Sequence, residues 1–237
     1  MYNRAMKEIS NAKTDTPRSD ATREKLLAAA LDVFGRYGFD GASTRKLADA
    51  AGVNLQAIPY YFGGKEGLYI ATAEYLAGVV AGHVAEIRHR VGRHLAELDE
   101  ANMPLNASQA RLFLTEIVET MVVLFVSRES EAWARFIIRE QLEPTAAFER
   151  VYAGIMGPMI NMGRRLIGAI LKDDPASENV RLRSLSFVGS LLVFRMANAA
   201  VLAQMEWDHI GEEQIAKLQA HARNLVAVLE PAKGEPE

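Results

Sequence analysis

Between Thr44 and Lys65 the chain gathers side chains suited to holding a polyanion and reading flat heterocyclic edges. Thr44 and Arg45 open one short apolar-periodic segment, Tyr60 and Tyr61 close the next, and Lys65 follows the pair Gly63–Gly64. Hydroxyl, guanidinium and ammonium groups hold phosphate oxygens, contacts that position a protein on a duplex without reading its sequence. Lys65 also stands at an expected helix start, where partial positive charge and unpaired N–H groups attract phosphate. Gln56 differs in kind: its amide can pair with adenine through donor and acceptor together, worth about 1–3 kcal/mol in discrimination. The expected contacts are therefore Thr44, Arg45, Tyr60, Tyr61 and Lys65 to the backbone, and Leu55, Gln56 and Ala57 to base edges.

Two short helices must position these groups. Thr44–Ala51 reads as the first, with Ser43 able to accept from the free N–H groups at its start. Gly52 closes it, because glycine reaches the left-handed cap conformation without a Cβ penalty. Asn54 can cap a second helix running to about Phe62. Leu47, Ala51, Val53, Ile58 and Phe62 are the apolar positions that clamp the pair. Ile58 and Phe62 pointing inward turns Gln56 and Tyr60 outward. A turn with Gly between two short helices makes a helix-turn-helix, whose second helix can enter the DNA major groove. The same geometry also fits an ordinary hairpin in an all-α protein.

The residues themselves narrow the choice. FGRYGFDGAST, then RKLADAAGV, then YYF-x-x-KEGL follow one another within Thr22–Leu68, and this order and spacing resembles the TetR family of transcriptional regulators. The resemblance implies an all-α chain: an amino-terminal three-helix helix-turn-helix domain fused through a long helix to a helical ligand-binding and dimerisation domain. Residues 1–19 are then a flexible arm, 20–68 the DNA-binding domain, 69–230 the ligand-binding and dimerisation domain, and 231–237 a tail. Pro59 departs from the pattern, which usually carries a DNA-touching Tyr there. The order REQLEPT, an apolar helix and an MEW turn is similar to the CecR-type subgroup of the family.

Composition is compatible with this. The 237 residues are 49% hydrophobic and 24% charged, with no cysteine, so disulfides and thiolate metal sites are excluded. The net charge of −3 argues against a generally basic nucleic-acid binder. Residues 1–68, however, hold 10 Lys and Arg against 8 Asp and Glu, and the remainder 17 against 22. Such a chain meets DNA with one end. The start carries no apolar run with a cleavage site, and Arg195 and Asn198 interrupt the apolar stretch Leu185–Met205. A cytoplasmic protein with no membrane segment is expected.

Taken in order, the polar arm offers Arg4, Lys7, Lys13 and Arg18 for non-specific phosphate attraction. A helix over about 22–37 puts Leu26, Leu27, Ala30, Leu31 and Phe34 on one face. One helix of some 34 residues is expected over 65–98, connecting the domains. Its His83, His89 and His94 lack the spacing of a zinc-hydrolase pair. Further helices are read at 109–126, 130–142, from Thr145 with a kink or split at Pro158, at 177–205 and at 212–229. The apolar surround of Leu185–Leu202 and the stripe Ile215, Leu218, Ala222, Leu225 and Leu229 suit a two-fold homodimer. A ligand cavity is expected between the helices of 65–205, with Met121, Phe125, Trp133, Phe136, Glu140, Phe148, Tyr152, Met156, Phe194, Arg195 and Asn198 on its walls. Aromatic and Met residues at this spacing also suit plain core, and Arg139 or Arg195 paired with Glu140 would satisfy the charge without any ligand; the expected occupant is a mostly apolar small molecule with one polar or acidic group. No G-x-S-x-G, G-x-G-x-x-G, P-loop or H-E-x-x-H motif occurs, so no catalytic residue, cofactor or metal is expected. The expected function is a ligand-responsive repressor that binds a near-palindromic operator as a dimer. The competing readings are an enzyme, or a small-molecule carrier with a lapsed DNA-reading head.

Overall fold

A computed structural model of the chain describes residues 16–231; of the expected arm 1–19 and tail 231–237, residues 1–15 and 232–237 lie outside the described residues, while 16–19 are helical. Every regular element among the described residues is helical. Two compact units form: one runs to Ala77 and includes Ala132–Val151, the other holds Gly78–Glu131 and the chain from Tyr152 onward.

The first unit starts with α1 (Thr16–Gly41), six residues ahead of the expected start; Pro17 falls in its first turn, where proline's missing N–H has no helical partner to lose. Then come α2 (Thr44–Ala51), α3 (Ala57–Phe62) and most of α4 (Lys65–His83). Leu26, Ala30 and Phe34 of α1 are fully buried together with Leu47, Ile58, Leu68 and Leu76. Phe34 meets Tyr69 edge-on at 4.8 Å, and Tyr69 lies 5.1 Å from Phe136. Phe136 belongs to α7 (Ser130–Leu142), which with α8 (Ala146–Val151) completes the unit.

Two polar anchors bind α7 to this core. Gly38 leaves helical geometry at φ 71°, ψ 179°, and the carbonyls of Gly35 and Arg36 just ahead of it accept from Arg139, each at 3.0 Å. Such carbonyls lack helical donors where a helix ends. Glu140, 2% exposed, accepts from the Tyr69 hydroxyl at 2.5 Å, and its second oxygen accepts from the N–H and hydroxyl of Thr145. The ligand-free pairing of Glu140 with Arg139 or Arg195 is not the one formed: both arginines donate to backbone carbonyls, and a phenol and a helix-capping threonine satisfy the carboxylate.

The second unit contains α5 (Ala85–Glu100), α6 (Ala107–Val126), α9 (Gly157–Leu171), α10 (Glu178–Met196), α11 (Asn198–Met205) and α12 (Glu212–Ala227). The single helix expected over 65–98 is two helices. Val84 takes φ −106°, ψ 8°, and the axis turns by 75° between α4 and α5. Likewise 177–205 divides at Ala197, with an 80° bend between α10 and α11. There Arg195 is anchored at 2.5 Å on the carbonyls of Phe125 and Ser127, closing the end of α6. The split expected at Pro158 takes the form of a π-helical turn, Tyr152–Met156, before α9. Proline has no N–H to continue an α-helical ladder, and the wider turn absorbs the mismatch. On α12, Leu218, Ala222 and Val226 are buried, and Arg223 and Gln219 bond to Glu119 of α6. That part of the expected partner stripe is consumed within the chain. No single helix among the described residues is long and apolar enough to cross a membrane.

The buried phenol–carboxylate contact has a pH signature. Burial, then the bond to Glu140 and its charge, raise the Tyr69 pKa well above its ordinary 10.0. The folded state keeps a proton that the unfolded chain releases first, so stability falls as pH rises past about 10. Tyr69→Phe should cost about 1–3 kcal/mol at neutral pH by leaving a carboxylate oxygen unpaired, and should flatten the alkaline decline. Urea denaturation of both proteins between neutral pH and pH ~11 measures each effect; a decline as steep in Tyr69→Phe as in the parent would remove Tyr69 as its source.

Candidate nucleic-acid interface

The helix-turn-helix is built from its ends inward. Ser43 accepts from the Lys46 N–H at 3.1 Å, fixing the start of α2. Gly52 closes α2 at φ 65°, ψ 37°. The Asn54 side chain then accepts from the Gln56 N–H at 2.9 Å, and its carbonyl from the Ala57 N–H at 2.9 Å. Leu55 and Gln56 form a turn leading into α3, so the helix itself starts later than expected, at Ala57. Gly63, at φ 73°, ends it. α4 begins two residues further on, and a Cβ at Gly67 would lie 1.8 Å from the Phe62 carbonyl oxygen. The end of α3 thus rests on the first turn of α4 with no room for a side chain between them.

This framework sorts the expected contact residues. Ile58 is fully buried, while Gln56 is exposed and Tyr60 is 79% exposed on the opposite side. Tyr61 is half-buried, its ring 4.8 Å from that of Tyr60 and nearly perpendicular to it. Leu55 is 43% exposed, and Ala57 is half-buried at the first position of α3. Thr44, half-buried, starts α2 beside the exposed Arg45. The Lys65 ammonium lies 4.4 Å from the centre of the Phe39 ring, a cation–π contact that holds the charge at the start of α4. An open concavity of about 820 Å³ brings Gln56, Ala57, Tyr60 and Tyr61 together with Pro59 and with Thr22 and Lys25 of α1. Sequence reading missed Thr22 and Lys25. Their only signal is an i, i+3 spacing on the side of α1 away from its apolar face.

The residues expected to line a ligand cavity divide between the two units. Trp133, Phe136, Glu140 and Phe148 fold with the first, where Phe136 and Glu140 both meet Tyr69. Met121, Phe125, Tyr152, Met156, Phe194, Arg195 and Asn198 belong to the second, half-buried apart from Tyr152, which is exposed. Arg195 reaches Phe125 through its carbonyl, and Phe194 meets the ring of His221 at 6.0 Å. A cleft of about 760 Å³ in the second unit has an Ile87, Val123 and Leu124 floor and a rim of His83, Glu86, Arg90, Glu116 and Arg128. It contains none of the expected cavity residues. Among the described residues no group of three or more His, Asp or Glu side chains is placed to hold a metal ion.

Known proteins share this arrangement. Residues 26–72 match the family model for bacterial regulatory proteins of the tetR family, and residues 110–232 match the carboxy-terminal domain of the HTH-type transcriptional dual regulator CecR. CecR from Shigella flexneri is 32% identical over 84% of this chain and 86% of its own length. A TetR-family transcriptional regulator from Mesorhizobium loti superposes with TM-score 0.58 at 17% identity, over 90% of this chain and 96% of its own. AibR, crystallised with isovaleryl coenzyme A and operator DNA, superposes with TM-score 0.60 at 12% identity, over 86% of this chain and 97% of its own.

The contact between Phe62 and Gly67 can be tested alone. Gly67→Ala forces its methyl into the Phe62 carbonyl and should cost about 1–3 kcal/mol in stability. It should also lower affinity for specific DNA by shifting α3. Thermal melting and a DNA titration on the same sample read both effects; a variant unchanged in each would show that α3 and α4 have slack at this point.

Proposed function

Since the chain belongs to the TetR family of transcriptional regulators, with a carboxy-terminal domain of the CecR type, we propose that it represses transcription by holding an operator through α3 and releases it on binding a small, mostly apolar molecule. The observation that carries the DNA half is the division of the reading segment: Ile58 is fully buried, while Gln56 and Tyr60 stand exposed on the other side. Thr44, Arg45, Tyr60, Tyr61 and Lys65 hold phosphates, Gln56 pairs with adenine, and Leu55 and Ala57 lie against neighbouring bases. Lys25 adds a further cation beside the concavity.

The effector site belongs to the second unit, with Met121, Phe125, Tyr152, Met156, Phe194 and Asn198 as its walls and Arg195 fixing the end of α6 beside them. Trp133, Phe136, Glu140 and Phe148 serve packing in the first unit. AibR, of the same fold, was crystallised with isovaleryl coenzyme A and operator DNA, which supports a fold that carries both a small-molecule site and a DNA site. The effector must favour a state unfit for the operator, since equal affinity for both states shifts nothing. A tenfold loss of DNA affinity requires about 1.4 kcal/mol of such preference.

Dimerisation uses α10. Leu182, Leu185, Val193 and Met196 are 58%, 57%, 42% and 55% exposed, an apolar face suited to a second copy. A dimer of helix-turn-helix units prefers a near-palindrome with half-sites about one turn of DNA, or a multiple, apart.

Two sets of variants check the proposal. Gln56→Ala should relax preference at one base pair per half-site, whereas Arg45→Ala should weaken all sequences alike and reduce the salt slope by about one. Selection from random duplexes, followed by titration at several salt concentrations, distinguishes them; a Gln56→Ala protein with the parent's base preference would remove Gln56 from the reading surface. Leu185→Glu combined with Val193→Glu should give a folded monomer, measured by sedimentation and circular dichroism. A double variant that stays dimeric would place the interface elsewhere.

A further inference from the structure

Two residues on the outward side of the reading segment have no hydrogen-bonding side chain. Leu55 is 43% exposed. Pro59, four residues on, is exposed and lines the same concavity as Gln56 and Tyr60. Ile58 fills the core from the opposite side. Phosphate oxygens and base acceptors are held by donors; leucine's side chain has none, and proline lacks even a backbone N–H. Pro59 costs the helix little, because it lies in the first turn of α3, where its missing N–H has no helical partner to lose.

The major groove displays one apolar group, the C5 methyl of thymine. Resting on the placement of α3 proposed above, we infer that Leu55 and Pro59 are specificity-determining residues that read thymine methyl groups on either side of the base pair read by Gln56. The chemistry suits both. A proline ring is rigid and loses little freedom on contact, and a leucine already partly fixed by the turn of Asn54 adds a second apolar surface. Neither residue senses the hydrogen-bonding edge of its base pair; each senses only whether a methyl is present.

Deoxyuridine in place of thymidine removes that methyl and keeps the hydrogen-bonding edge. The full-length protein is used to select a duplex from a random-sequence pool, and each thymine of one half-site is then replaced singly by deoxyuridine. At two positions flanking the Gln56 base pair, affinity should fall about three- to fivefold, the worth of one buried methyl-sized group. Leu55→Ala should lose the response at one of these positions and Pro59→Ala at the other, while both variants keep the response to changes at the Gln56 base pair. Alanine is the better helix former, so Pro59→Ala should melt no earlier than the parent. If the unmodified protein binds every deoxyuridine duplex as tightly as the selected one, or if both variants retain the full response, the methyl reading is overturned. If no duplex can be selected at all, the placement of α3 on DNA falls with it.

Discussion

A helix of six residues cannot hold its own shape in water, because nucleation fixes several residues for each hydrogen bond gained and helices shorter than about 12–15 residues are marginal. The second helix of the helix-turn-helix, α3, is such a helix. Its surface can present a fixed pattern only because its ends and its inner side are held by other elements. Asn54 closes the turn ahead of it, Gly63 ends it, Ile58 anchors it in the core, and its last carbonyl sits on Gly67 of α4. The remainder of the first unit serves this one requirement, and the exposure of Gln56 and Tyr60 follows from it.

The same unit gathers α7 from far along the chain, and beside the buried Phe136–Tyr69 contact the join carries polar anchors that sequence patterning does not show. Arg139 supplies donors to carbonyls beside the break at Gly38, and Glu140 is satisfied by Tyr69 and Thr145. A buried carboxylate without partners is strongly unfavourable, so this join tolerates little slack. Apolar surfaces can slide over one another at small cost. A carboxylate held by a phenol on one oxygen and by two groups of one residue on the other cannot.

The second unit follows another logic. Its helices are interrupted at Val84, at the π turn ahead of Pro158 and at Ala197. Each break redirects an apolar stripe that a continuous helix would carry past its partner. α12 turns its buried stripe onto α6 and is tied there by Arg111, which donates to carbonyls of Val226 and Leu229. α10 keeps Leu182, Leu185, Val193 and Met196 in solvent. One stripe is thus satisfied inside the chain and the other is not, a distinction that hydrophobic periodicity cannot make.

Local chemistry was legible in the sequence. Ser43, Gly52, Asn54, Ser177 and Pro158 each act within a few residues of themselves, so their caps, turns and breaks could be read directly. The inward set Leu26, Phe34, Leu47 and Ile58 followed from spacing alone, and with it the outward placement of Gln56 and Tyr60. What the tertiary structure decided was every question of partner. Arg139, Glu140 and Arg195 look alike in sequence, as ionised residues among apolar ones, yet each is satisfied by a group 68 to 104 residues away. Leu218 and Leu185 likewise both lie on apolar stripes, and only the path of α6 buries the first and leaves the second exposed. Periodicity states that a face must be covered; which surface covers it depends on where the chain returns, and that is set by the backbone breaks at Val84 and Ala197, where no proline announces them.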